Sequence, residues 1–117
     1  MPTLRNLQIE RPPVLAHNVF FSLNDRSAAA VAALVEECHK FLSDHPGIVF
    51  YAAGTVSDVD RPVSDRDYDV ALHVVFTDRA AHDAYQAAPA HQEFIARNKA
   101  NWKKVRVFDS EVSAPSR

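Results

Sequence analysis

One cysteine, two glycines, one tryptophan and one methionine in 117 residues remove several functions at the outset. A lone thiol, Cys38, cannot close an intramolecular disulfide, which is compatible with a reducing compartment. Gly47 and Gly54 are too few for a glycine-rich phosphate loop. No apolar run approaches the roughly 20 residues needed to span a bilayer, so no membrane is expected as a partner. The net charge of −2 is spread over mixed signs and offers no basis for capturing nucleic acid or anionic lipid. The N-terminal stretch lacks an apolar core followed by a small-residue cleavage site, so no secretory signal and a cytoplasmic location are expected. No His, Cys and Asp spacing resembles a zinc or iron signature such as H-E-x-x-H. Asp58, Asp60, Asp65, Asp67 and Asp69 lack the EF-hand order and its closing glutamate, and read as a charged surface loop. Neither a metal nor a cofactor is therefore expected.

What is present has the composition of one globular domain, 47% hydrophobic and 24% charged. The stretch Tyr85 to Phe94 organises it. Pro89 has no backbone N–H to donate and biases Ala88 away from helical dihedrals. One helix carrying Tyr85 should end near Ala88, and a second carrying Phe94 should begin just after Pro89. His91 then falls in the first turn of the second helix, beside its free backbone N–H groups.

Residues 1–13 read as a leader closed by Pro12-Pro13, residues 14–112 as the domain, and 113–117 as a tail. Val14 to Leu23 is an extended stretch, with His17, Val19, Phe21 and Leu23 on one face and Asn18, Phe20 and Ser22 on the other. Ser27 can cap a helix whose stripe is Val31, Leu34, Val35, Cys38, Phe41 and Leu42, ended by Pro46-Gly47. Ile48 to Val56 reads as a strand in which Gly54 suggests a bulge or a close approach. A polar loop follows. Tyr68 to Thr77 alternates as a strand, Thr77 or Asp78 can cap the helix leading to Pro89, and the next helix reaches Trp102. Val105 to Val112 is the last strand.

The order β, α, β, β, broken α, β predicts an α+β, ferredoxin-like fold with a four-stranded antiparallel sheet. Helices cover one face. The other still carries large apolar side chains, so a second copy of the chain is the expected partner, as a homodimer. His17 and His73 lie on strands expected to pair, where they could face one pocket. His39, His45 and His82 are expected in solvent. Cys38, on the buried stripe, reads as a core thiol.

In their order along the chain, these features resemble the dimeric stress-responsive α/β barrel (Dabb) family. The likeness rests on His17-x-Val19-x-Phe21, Pro46-Gly47 followed by Gly54, and Tyr68-Asp69. It continues through Tyr85-x3-Pro89-x-His91-x2-Phe94 and Trp102 to Phe108-Asp109. It implies a two-chain barrel made by sheets packed face to face. The family's best-understood enzyme, the plant olivetolic acid cyclase, closes a polyketide ring with no cofactor or metal. Its catalytic tyrosine and histidine match Tyr85 and His91, the carboxylate associated with that histidine matches Asp109, and a pocket histidine matches His17. Ala88 stands where that enzyme has a further histidine.

The resemblance thus implies a small-molecule site with His91 as general base, Asp109 as its orienter and Tyr85 as donor to a developing oxyanion. His17, His73, Phe94 and Trp102 would contact a small aromatic or keto-acid ligand. Two other readings stand beside it. One is a non-catalytic dimer in which the corner residues are structural. The other is a cofactor-free oxygenase of the related dimeric barrel type.

Overall fold

The computed structural model describes residues 13–115, so nearly all of the expected leader lies outside the described residues. Strand β1 (Val14–Leu23) leads to helix α1 (Ala28–Leu42), then to β2 (Ile48–Thr55) and β3 (Val70–Phe76). Helices α2 (Arg79–Ala87) and α3 (Pro89–Asn98), a short 3-10 turn (Lys99–Asn101) and β4 (Trp102–Val112) complete the chain. The strands pair antiparallel in the order β2-β3-β1-β4, which is the expected ferredoxin-like sheet. No helix among the described residues is long and apolar enough to cross a membrane.

Local chemistry accounts for each junction. The Ser27 hydroxyl accepts the Ala30 N–H at 3.2 Å and starts α1. Asp78, rather than Thr77, caps α2 by accepting the Ala81 N–H at 2.9 Å. Ala88, held extended at φ −64° and ψ 144° ahead of Pro89, closes α2 and opens α3. Gly47 turns the chain from α1 into β2 at φ +88°, and a Cβ there would collide with the side chain of Ala81 on α2. Its carbonyl also accepts the Thr77 N–H at 2.8 Å. This one glycine therefore seats α2 against the sheet.

The core lies between the helices and one face of the sheet. Val19, Phe21 and Leu23 of β1 meet Val70, Leu72, Val74 and Phe76 of β3, and the helices contribute Leu34, Cys38, Leu42, Tyr85 and Phe94. Each such side chain gains about 1.5–3 kcal/mol on burial, which places most of the fold's stability in this layer. On the opposite face, Phe50 and Phe108 remain 55% and 51% exposed. Phe50 stands beside Val75 and Phe108 beside Phe20, with Asn18 and His73 on the same face between these two apolar groups.

Three sequence expectations need correction. Gly54 sits opposite Ala71 in regular register, and a Cβ there would meet nothing within 4 Å; the irregularity in β2 lies between Ile48 and Phe50. Trp102 opens β4 instead of closing a helix, because α3 ends four residues earlier, where the Asn98 side chain donates to the Phe94 carbonyl at 2.8 Å. Asp69 is no surface-loop charge. It is buried, accepting the Leu23 N–H at 2.8 Å and the Arg26 Nε–H at 3.0 Å, which ties the start of β3 to the end of β1.

Candidate functional site

A cavity of about 150 Å³ opens between β1, the edge strand β4 and the α2–α3 corner. Its walls are mostly apolar, with Phe94 and Trp102 on one side and Val105 and Val107 of β4 on another. Four polar side chains line it: His17, Tyr85, Gln86 and His91. The Pro89 break produces this arrangement. It ends one helix just after Tyr85 and starts the next just before His91, so that their rings stack edge to face with centroids 4.8 Å apart. Phe21, Phe94 and Trp102 then close the far end, ring against ring.

His17 comes from the middle of β1 and stands opposite Asp109 of β4. His17 Nδ1 and Asp109 Oδ1 are 2.6 Å apart. A carboxylate can only accept, so Nδ1–H donates and Nε2 carries the imidazole lone pair. Burial pulls the His17 pKa down, and the hydrogen bond and charge of Asp109 oppose that pull. The expected partnership was Asp109 with His91. In the fold the carboxylate belongs to His17, because the cross-strand register sets those two residues side by side on the helix-facing side of the sheet.

His91 is the third residue of α3, buried, and its Nδ1 has no hydrogen-bond partner among the described residues. Burial lowers its pKa to about 4, helped by the neighbouring His17, His45 and His82. The positive end of α3 acts in the same direction. His91 is therefore a neutral imidazole at pH 7. Tyr85 is 1% exposed, its hydroxyl is likewise without a partner, and burial raises its pKa. It is a proton-bearing donor across the physiological range.

His73 does not join this group. β1 and β3 pair His17 with Val74 and Asn18 with His73, so a one-residue offset puts His73 on the open face. There its Nδ1 meets Asn18 Oδ1 at 2.7 Å. Cys38 is fully buried with its thiol pushed up to about 12, as befits a core side chain.

Two histidines expected in solvent instead pack against side chains that line the cavity. His82 is only 14% exposed at its side chain, and its ring lies 4.9 Å from that of His17. His45 packs its ring 5.0 Å from Tyr85 while its Nε2 bonds the Phe41 carbonyl at 2.8 Å. Helical spacing contained the signal for the first, since His82 precedes Tyr85 by three residues and so shares its face. His39 does lie at the surface, beside the Tyr51 hydroxyl at 3.0 Å. Among the described residues, His17, His82 and Asp109 form the one group whose donor atoms lie close enough to share an ion.

The family model of the stress responsive A/B barrel domain matches residues 15–112. No curated protein sequence matches the chain. Several solved structures share the fold. A dimeric ferredoxin-like protein of unknown function from Thermobifida fusca is 19% identical, with 87% of this chain and 93% of that one aligned at a TM-score of 0.71. A Dabb family protein from Mesorhizobium loti is 22% identical over 87% of this chain and 99% of that one, also at 0.71. A hydroxynitrile lyase from Passiflora edulis is 19% identical over 89% and 97%, again at 0.71.

Proposed function

The chain belongs to the stress-responsive A/B barrel (Dabb) family, and from that premise we propose a homodimer with one small-molecule acid/base site per chain. The observation that carries this reading is the 2.6 Å His17–Asp109 hydrogen bond beside an apolar cavity that also holds the Tyr85 hydroxyl. His17 Nε2 is the base. As it takes a proton, the Asp109 carboxylate stabilises the imidazolium through Nδ1–H. Tyr85 donates to the oxygen on which negative charge develops. His91, lowered to about 4 by burial and without a carboxylate partner to stabilise an imidazolium, serves as a neutral second contact.

The cavity's size and charge narrow the ligand. About 150 Å³ suits a molecule the size of a benzene ring. Neither Lys nor Arg is among the residues lining it, so a keto acid's carboxylate would be desolvated without a counter-charge. Of the two ligand classes expected from the sequence, a neutral aromatic carbonyl compound is favoured over a keto acid. That a protein of the same fold is a hydroxynitrile lyase supports small-molecule chemistry over a purely structural dimer. The apolar open face supports the second copy, as does the dimeric state of the Thermobifida fusca protein.

Hydrogen–deuterium exchange at the methyl group of acetophenone, followed by NMR in heavy water, tests the chemistry. The protein should accelerate exchange. His17→Gln and Asp109→Asn should each lower the rate about 10²–10⁴-fold, whereas His91→Asn should cost less than about tenfold. Exchange unaffected by His17→Gln, or abolished by His91→Asn alone, would overturn the assignment of the base.

A further inference from the structure

Three side chains from three separate elements converge around His17, which lines the cavity: His17 itself from β1, His82 from α2 and Asp109 from β4. Each can present one donor atom such that all three atoms lie within 4.8 Å of one another. We propose that they form a binding site for a first-row divalent transition ion of the zinc and cobalt class. Two imidazoles and one carboxylate are a donor set suited to such ions, whereas magnesium and calcium require oxygen ligands.

The surroundings of each ligand fit that role. His82 Nδ1 is held by Asp83 Oδ1 at 3.0 Å, which leaves Nε2 as its free donor. Asp83 is itself fixed by Arg79 Nε at 3.1 Å. A ligating histidine whose outer nitrogen is held by a carboxylate is the usual arrangement around protein-bound metal. His82 lies on the sheet-facing side of α2 with Tyr85, which turns its ring toward His17 at a centroid distance of 4.9 Å. His17 Nδ1 and Asp109 Oδ1 are joined by a hydrogen bond of 2.6 Å. Tetrahedral zinc ligands lie about 3.3 Å apart, so an ion could replace that hydrogen bond with a side-chain shift of under about 1 Å. One carboxylate against a dication leaves a net charge of +1, which the open cavity side can offset with hydroxide or an anionic oxygen ligand. Three ligands leave at least one coordination position open, as in catalytic zinc sites.

The sequence expectation of no metal rested on spacing along the chain. These ligands are separated by 65 and 27 residues (17 to 82 and 82 to 109) and meet only through strand pairing and the seating of α2. An ion here would hold His17 and so compete with its action as a base. Binding is measured without turnover, so failure of one reading does not entail failure of the other.

Untagged protein titrated with Zn²⁺ and with Co²⁺ by calorimetry should bind one ion per chain with micromolar or tighter affinity. Co²⁺ should develop visible d–d bands. His82→Ala and Asp109→Asn should each weaken binding more than about tenfold, and His39→Ala, at an exposed histidine, should leave it unchanged. X-ray absorption of the zinc-loaded native protein should show two imidazoles in the first shell, a result independent of any variant. Affinity no better than millimolar, equal affinity in His82→Ala or Asp109→Asn, or a first shell without two imidazoles would overturn the proposal.

Discussion

Acidifying the protein from pH 7 to pH 4 should cost about 3 kcal/mol of folding stability through His91 alone. In the unfolded chain its imidazole titrates near the ordinary 6.5, whereas in the folded protein burial and three histidine neighbours hold it at about 4. A tenfold change in proton affinity is worth about 1.4 kcal/mol, which gives the figure. The folded value is the lower one, so between those two pH values the unfolded chain binds more protons and is favoured as pH falls. Above pH 6.5 neither state is protonated and the full stability is present. Below about pH 4 both are protonated, and the loss is complete. Urea unfolding at pH 7, 6, 5 and 4, at one fixed protein concentration because association shifts the midpoint, measures the curve. In His91→Gln the same series should be flatter by about 3 kcal/mol, since glutamine does not titrate. His17, whose pKa burial also lowers, contributes in the same direction and is present in both proteins. Parallel pH curves for the native protein and His91→Gln would refute the claim that His91 is held neutral by burial.

Gly47→Ala combines a left-handed backbone with a collision against Ala81, and should destabilise the fold by about 2–4 kcal/mol in urea unfolding. Gly54→Ala, where a Cβ meets no atom of its own chain, serves as the comparison. An equal loss in the two variants would contradict the seating role of Gly47. Phe50→Asp together with Phe108→Glu places two charges on the open sheet face and should convert the proposed dimer to monomer or aggregate in light scattering. An unchanged dimer would place the interface elsewhere.

Much of the fold was legible because each boundary carries its own chemistry. Ser27, Gly47 and Pro89 stop or start elements through groups that sequence alone reveals, and the period-two run from Val70 to Phe76 names its buried face. Features settled by pairing were not legible. The offset that sends His73 to the far face, and the register that gives Asp109 to His17, depend on how strands align, and a single residue of slip reverses either. The site divides the same way. Tyr85, His91, Phe94, Trp102 and His17 could be named in advance and do line the cavity. His82 and His45 could not, because a histidine on a helix or in a turn is solvated unless another element covers it. Here β1 brings His17 over one, and the Tyr85 ring packs against the other.

On the proposed reading, this cavity receives a neutral ring carbonyl between Tyr85 and His17. A crystal structure of the protein grown with acetophenone tests it most directly. The ring should lie between the Phe94 and Trp102 wall and Val105 and Val107 of β4, its carbonyl oxygen within hydrogen-bond distance of the Tyr85 hydroxyl and its methyl carbon facing His17 Nε2. A ligand bound only elsewhere, with Phe94 and Trp102 collapsed into the cavity, would contradict it.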